Sequence, residues 1–350
     1  MAAMQGGYDV LPIAIRRDGT WVPGINDPEK LSLNGGRTEV GPSTERIMLP
    51  AGNGTQQVLV ADTKRDSDVV ETNDIVAKLA GQVDVVFPVL HGPFGEDGTI
   101  QGLLEMAAIP YVGCGVFASS AGMDKHYMKV VLQAAGLPVG PYVVVPAKRW
   151  RTDRAAVEAE VAKLQFPVFV KPARAGSSLG ISKVDSIEGL EAAVVEAQRH
   201  DPKVIVEQGI KGREIECAVL EGRGDNPARA SVLGEVIFAV PEGGFYDFEH
   251  KYVDIDGLTM SIPAAMDEAV SDRIRALAVA AFDAFGCEGL TRVDFFLTDD
   301  GEAIINEINT MPGFTPVSMY PVLWQNTGMT YSELVDELIA LAVERPIGLR

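Results

Sequence analysis

Apolar residues recur along this chain with two periods, and the changes between them mark its elements. Val157, Val161 and Leu164 fall at i, i+4, i+7, and Ile187, Leu190 and Val194 at i, i+3, i+7 behind an Asp185–Ser186 cap supported by Glu188, so two amphipathic helices are predicted. A longer helix carries Val270, Ile274, Leu277 and Ala281 on one face and stops at Gly286. Short apolar runs between turn residues predict strands at Tyr8 to Ile15, Val83 to Leu90, Phe166 to Lys171, Leu179 to Val184, Val204 to Glu207, Glu214 to Leu220 and Ser231 to Phe238. A helix from about Thr99 and a closing helix, Leu334 to Leu341, complete the outline. The mixed order predicts an α/β chain of α+β character, in several layers rather than one doubly wound sheet.

The length of 350 residues suits two or three domains. Forty-nine acidic against thirty basic residues leave a net charge of -19, which excludes a general cationic surface for nucleic acid. No apolar run reaches the ~20 residues of a membrane helix, and no basic start with an apolar stretch opens the chain, so a cytoplasmic protein without a membrane partner is expected. Cys114, Cys217 and Cys287 are odd in number and far apart, which predicts buried thiols rather than disulfides or a zinc knuckle.

The richest chemistry lies in Leu290 to Thr310, two strand-like runs joined at Asp299-Asp300-Gly301. A two-residue type I′ turn at Asp300-Gly301 would set Asp299 opposite Glu302, Asp294 opposite Glu307 and Arg292 opposite Asn309. Because strand side chains alternate, Arg292, Asp294, Glu307 and Asn309 share one face, and Val293, Leu297, Ile304 and Ile308 take the buried one. Two carboxylates and an amide oxygen form an oxygen-only donor set of the kind magnesium prefers, with Arg292 beside them to stabilise an anion. A solvated hairpin face is the plain alternative, and the adjoining Asn309-Thr310-Met311-Pro312-Gly313 turn weighs against it.

Magnesium of this kind implies a nucleotide, yet no G-x-x-x-x-G-K-[ST] loop occurs. Gly113-x-Gly115-x-x-Ala118 has dinucleotide-fingerprint spacing but lacks a βαβ unit and a well-placed acid, and is expected to be a loop. Gly176-Ser177-Ser178-Leu179-Gly180 matches the nucleophile elbow of α/β-hydrolases, with Asp247 and His250 in permissible order. The elbow requires strand, turn and helix, whereas this loop lies between two predicted strands, an arrangement better suited to covering a triphosphate. Lys171 ends a buried strand, where its ammonium needs an anion. The aromatic and charged stretch 245–252 follows Gly243-Gly244, a plausible hinge.

Taken in order, His91-Gly92-Pro93-Phe94-Gly95-Glu96-Asp97-Gly98-Thr99-Ile100-Gln101-Gly102, Met123-Asp124-Lys125, Val170-Lys171-Pro172, the Gly176 loop, Tyr246-Asp247, Lys251-Tyr252, Arg292-Val293-Asp294 and Asn306 to Gly313 resemble the D-alanine–D-alanine ligases of the ATP-grasp superfamily. The likeness runs over almost the whole chain from Tyr8. It implies the ATP-grasp fold in three domains, 1–113, 114–207 and 208–350, with ATP between the last two, and ligation of two D-alanine molecules through a D-alanyl phosphate for peptidoglycan synthesis. It also implies that Lys125 and Lys171 hold ATP phosphates, Glu207 and Ile210 meet adenine, Glu214 meets ribose, Lys251 reaches the γ-phosphate, and Ser178 and Tyr246 belong to the nucleotide-binding set. Asp294, Glu307 and Asn309 would bind two Mg²⁺ ions, or Mn²⁺ in their place. Arg292 and the Gly313 N–H would form an oxyanion hole, His91 would line the first D-alanine site, Ser318 and Met319 the second, and Ser177 would pair with Tyr252. A homodimer is expected. The pattern departs from the family at the start: the usual strand and Phe-Gly-Gly-x-Ser-x-Glu-His motif find no match, so roughly thirty to forty residues, about one βα unit, are expected to be lacking. A degenerate ATP-binding relative with impaired catalysis, or a ligase taking D-serine second, are the alternatives.

Overall fold

The computed structural model describes residues 7–16, 18–24, 43, 45–49, 56–62, 76–176, 179–238 and 258–346. The chain separates into two compact units, one of 1–87, 103–112 and 335–349, the other of 88–102 and 113–334.

In the first unit β1 (Ile13–Ile15) pairs antiparallel with β2 (Trp21–Pro23), and β3 (Glu45–Met48), β4 (Gln57–Asp62) and β5 (Val76–Gln82) form an antiparallel sheet in that order. The strand expected at Tyr8 to Ile15 is confined to its last three residues, after Pro12, which has no N–H to donate. The strand expected at Val83 to Leu90 is absent as such. Only a parallel bridge of Val86 with Tyr111 forms, and Pro88 interrupts any continuing ladder.

Helix α1 (Thr99–Ala107) starts where Asp97 accepts the N–H groups of Thr99 (3.0 Å) and Phe94 (2.8 Å). The expected loop at Gly113 to Ala118 is instead the entry to a helix: Gly115 is the cap of α2 (Val116–Met123), followed by α3 (Lys125–Ala134).

The second unit holds two antiparallel sheets. One contains β6 (Tyr142–Pro146), β7 (Val168–Pro172), β8 (Ser182–Val184) and β9 (Lys203–Gln208), ordered β6-β9-β7-β8. Around it lie α4 (Ala147–Thr152), α5 (Arg154–Val161) and α6 (Leu190–Gln198). Val157, Val161, Leu190 and Val194 bury their stripe against Val168, Val170, Val204 and Val206. The other sheet contains β10 (Arg213–Leu220), β11 (Arg229–Phe238), β12 (Leu258–Ser261), β13 (Leu290–Leu297) and β14 (Ala303–Asn309), ordered β12-β11-β10-β13-β14. Its apolar face, with Ile215, Cys217, Val219, Val293, Phe295 and Ile305, packs on Ile274, Ala278 and Phe282 of α7 (Glu268–Phe285). Each large apolar side chain so buried contributes about 1.5–3 kcal/mol. Helix α7 ends at Gly286, whose φ of 59° lies in the left-handed region. Helices α8 (Met319–Thr327) and α9 (Tyr331–Glu344) follow. All three cysteines are buried and free, as expected.

The β13–β14 hairpin corrects the expected turn yet keeps the expected site. Thr298 N–H donates to Glu302 O at 2.9 Å, so Asp299, Asp300 and Gly301 make a three-residue turn, with Gly301 at φ 84°. That shifts the pairing by one, to Leu297 with Ala303 and Phe295 with Ile305; a bulge at Asn306 then restores Asp294 to Glu307 and Arg292 to Asn309. Hence Ala303 and Ile305 are buried, and Ile304, expected on that face, is only half-buried.

Candidate active site

On the four-stranded sheet the site begins at a helix cap. Asp124 accepts the N–H groups of His126 (3.1 Å) and Tyr127 (3.3 Å), and its other oxygen meets the Lys203 ammonium. This anchors Lys125, whose N–H donates to Ala173 O (2.9 Å) and whose Nζ donates to Ala175 O (2.8 Å), at the foot of the Gly176 loop. Burial pulls the Lys125 pKa down, opposed by the charge of Glu307.

One helical turn further, Lys129 Nζ lies 2.8 Å from Glu207 Oε1, and Lys171 Nζ lies 2.5 Å from Glu207 Oε2. The side chains of Lys129, Lys171 and Glu207 are 3%, 14% and 8% exposed. Burial alone would raise the Glu207 pKa, but the two ammonium groups overcome it and hold it at about 2. Burial likewise works against the Lys171 charge, and Glu207 outweighs it, so the Lys171 pKa is raised.

On the five-stranded sheet the polar face points away from α7. Arg292 grips Asp294 with Nε to Oδ1 and Nη2 to Oδ2, both 2.7 Å, and its Nε lies 2.8 Å from Glu216 Oε2. Burial opposes the guanidinium charge, yet Asp294 and Glu216 raise the Arg292 pKa well above the ordinary value. Asn309 Nδ2 donates to Asp294 Oδ2 at 3.0 Å, and Glu307 is the direct cross-strand partner of Asp294. Glu214 lies two residues before Glu216 on the same face of β10, opposite Phe296. Glu307 acts electrostatically on both Lys125 and Lys171, so the hairpin and the lysines address one region.

Asp294, Glu307 and Asn309 form a set of hard oxygen donors, which fits magnesium chemistry. Among the described residues no three His, Cys, Asp or Glu side chains converge as a metal cage. Magnesium held by these residues would need further oxygens from substrate or water, as it commonly does.

A third set of contacts shapes the neighbouring loops. His91 Nδ1 and Met311 O are 2.9 Å apart, and Glu96 accepts the N–H groups of Gly92 (2.7 Å) and Met311 (3.1 Å). Burial raises the Glu96 pKa against those hydrogen bonds. Ser318 stands at the N-terminal boundary of α8 with no side-chain bond to the helix end, and its Oγ accepts the Thr315 N–H at 3.0 Å. A Cβ on Gly313 would stand 3.2 Å from Ser318 Oγ, so the two residues adjoin. Met319 is buried against Gly234 of β11, and Ile210 packs on Gly140.

Ser177, Ser178, Tyr246, Lys251 and Tyr252 lie outside the described residues, as do Asp247 and His250. The Gly176 loop nevertheless joins β7 to its antiparallel partner β8, not a strand to a helix, so the nucleophile-elbow context is not met. Sequence reasoning missed Lys129, Glu216 and the bridging role of Glu96. Two of these carried a signal: Lys129 is i+4 from Lys125 on a helix, and Glu216 is i+2 from Glu214 on a strand, so each shares a face with a residue already singled out.

Two antiparallel sheets, one presenting buried lysines and the other a carboxylate-rich hairpin, define an ATP-grasp enzyme. The family models for the D-ala D-ala ligase N-terminus and C-terminus match residues 1–114 and 131–340, and the chain belongs to the D-alanine–D-alanine ligase family, whose members use ATP. It is 56% identical over 344 residues to the D-alanine–D-alanine ligase of Arthrobacter sp. (strain FB24), covering 98% of this chain and 87% of that one. Identity to the Streptomyces coelicolor D-alanine–D-alanine ligase is 50% over 352 residues, with 98% and 87% covered. Among solved structures, the VanG D-Ala:D-Ser ligase of Enterococcus faecalis is 34% identical with a TM-score of 0.78, covering 97% and 93%. The Coxiella burnetii D-alanine–D-alanine ligase is 32% identical with a TM-score of 0.74, covering 95% and 84%.

Proposed function

We propose that this chain joins two D-alanine molecules into D-alanyl-D-alanine with ATP, as a cytoplasmic step toward peptidoglycan. The observation that carries this reading is the pairing of Arg292, Asp294, Glu307 and Asn309 on one hairpin face, electrostatically coupled to Lys125 and Lys171. Its functional organisation is read as three domains, 1–113, 114–207 and 208–350, with ATP between the last two.

A carboxylate is a poor electrophile, so the γ-phosphoryl group is first transferred to the first D-alanine, giving D-alanyl phosphate. Lys125 and Lys171 hold the phosphates, Glu207 and Ile210 the base, Glu214 the ribose and Lys251 the γ-phosphate, with Ser178 and Tyr246 in the same nucleotide-binding set. Asp294, Glu307 and Asn309 would hold two Mg²⁺ ions, or Mn²⁺ in their place, and metal bound there would supply neutralisation of phosphoryl charge. His91 lines the first amino-acid site; Ser318, next to Met319, receives the second substrate's carboxylate. The second amine attacks the acyl phosphate, and Arg292 with the Gly313 N–H stabilises the oxyanion before phosphate departs. Ser177 paired with Tyr252 closes the site against water.

The test is incubation of the purified chain with Mg-ATP and D-alanine, reading ADP, phosphate and dipeptide together, with D-serine, D-lactate and L-alanine in parallel. Dipeptide and ADP in equal amounts are expected. ATP binding without turnover would establish the degenerate relative, and preference for D-serine would place this chain with the D-Ala:D-Ser ligase it resembles. Sedimentation of the same sample tests the expected homodimer.

A further inference from the structure

Glu207 is flanked in its sheet by Tyr142 of β6 and Phe169 of β7, its register partners on either side. Lys129 Nζ lies 5.7 Å from the centroid of the Tyr142 ring, and Lys171 Nζ lies 5.9 Å from that of Phe169. Two ammonium groups thus reach one carboxylate, each held over a ring of a neighbouring strand, and each takes a different oxygen. The two are not equivalent. Lys129 is sealed, with 3% of its side chain exposed, whereas Lys171 keeps 14%.

A single lysine paired with Glu207 would form a neutral, self-satisfied pair with little attraction for another anion. Counted against Glu207 alone, two lysines leave one positive charge over, and the more exposed Lys171, on which the Glu307 and Glu214 carboxylates also act, is the one that can present it to a ligand. We propose that Lys129 is a positioning residue that acts through Glu207: it occupies Oε1 as a fixed counterion, so that Lys171 retains its attraction for a nucleotide phosphate and the carboxylate keeps its orientation. Lys129 itself does not touch the nucleotide. This rests on the reading of Lys171 and Glu207 as nucleotide contacts.

The test compares wild type, Lys129→Met, Lys129→Arg, Glu207→Gln and the Lys129→Met/Glu207→Gln double variant in the full chain. The readouts are KM for ATP and kcat at saturating D-alanine. Lys129→Met is expected to raise KM for ATP about tenfold or more while kcat stays within about threefold, and Lys129→Arg to restore most of the affinity. The double variant is expected to match Glu207→Gln within about twofold, because without the carboxylate Lys129 has nothing to act on. An unchanged KM in Lys129→Met, or a double variant showing the product of the two single effects, would overturn the proposal. Should Lys129→Met fail to fold, the comparison of the double variant with Glu207→Gln decides alone, since both lack the carboxylate and differ only at Lys129. Calorimetric titration of ATP into the same variants separates the two readings: wild type that binds ATP but makes no dipeptide defeats the proposed ligation, while the pattern of ATP affinities still decides Lys129.

Discussion

The two sheets of the second unit carry opposite charge balances. On the four-stranded sheet and its adjoining helix, Lys125, Lys129 and Lys171 surround one carboxylate, Glu207. On the five-stranded sheet, Arg292 sits among Glu214, Glu216, Asp294 and Glu307. The first cluster has cations to spare and suits polyphosphate; the second has carboxylates to spare and suits a divalent metal. Both achieve this with buried groups, where Coulomb attraction is strong and the cost of an unpaired charge is high. A single sheet lined with both sets would neutralise itself and bind neither partner well. Placing most of each set on its own sheet leaves each with a surplus of one sign, and Glu307 is the carboxylate of the second that also acts on Lys125 and Lys171 of the first.

The comparison breaks most severely at Arg292. Arg292→Lys keeps the charge but loses the bidentate fork on Asp294, and kcat for phosphate release at saturating ATP and D-alanine is expected to fall about 10²–10³-fold. Lys171→Met attacks the other side: KM for ATP rises about tenfold or more, with a smaller change in kcat, since Glu207 retains Lys129.

Acid titration distinguishes the clusters more gently. Glu207 is held at about 2, below the ordinary carboxylate range, so its stabilisation is present above its unfolded pKa of about 4.3 and is lost as pH falls toward 2. Urea unfolding across that window should show wild type losing stability that Glu207→Gln does not have to lose. Gly234→Ala places a Cβ 2.8 Å from Met319 Sδ and 3.0 Å from Leu323 Cδ2 on the acidic sheet. Because those side chains can shift, thermal unfolding should reveal a loss of only about 1 kcal/mol. Asp299, with 87% of its side chain exposed and 3.9 Å from Lys211, lies at the hairpin tip; Asp299→Ala is expected to change neither activity nor unfolding temperature.

The hairpin illustrates how much was legible. Counting from a two-residue turn placed Asp294 opposite Glu307 and Arg292 opposite Asn309, and both pairs are present. The count succeeded through two departures that cancel: a three-residue turn moved the register by one, and the Asn306 bulge moved it back. The price appeared between them, where Ile305 rather than Ile304 faces the core. Nothing local to Asn306 announces a bulge, because a bulge depends on how the partner strand is held. The strand expected at Val83 to Leu90 failed for a similar reason: an apolar run needs a neighbour to pair with, and Pro88 leaves only the Val86 bridge.

The apolar stripes of the helices around Val157, Val194 and Ile274, the shared face of Arg292 and Asp294, and the Gly286 stop follow from the sequence by itself, since side chains two, three or four residues apart have their relative directions set by covalent geometry. Tertiary structure alone decided that Glu207 lies between a lysine from α3 and another from β7, and that Glu307 bears on both Lys125 and Lys171. Those distances belong to the packing of separate elements, and charge surplus is a property of which groups are buried together, which no spacing along the chain specifies.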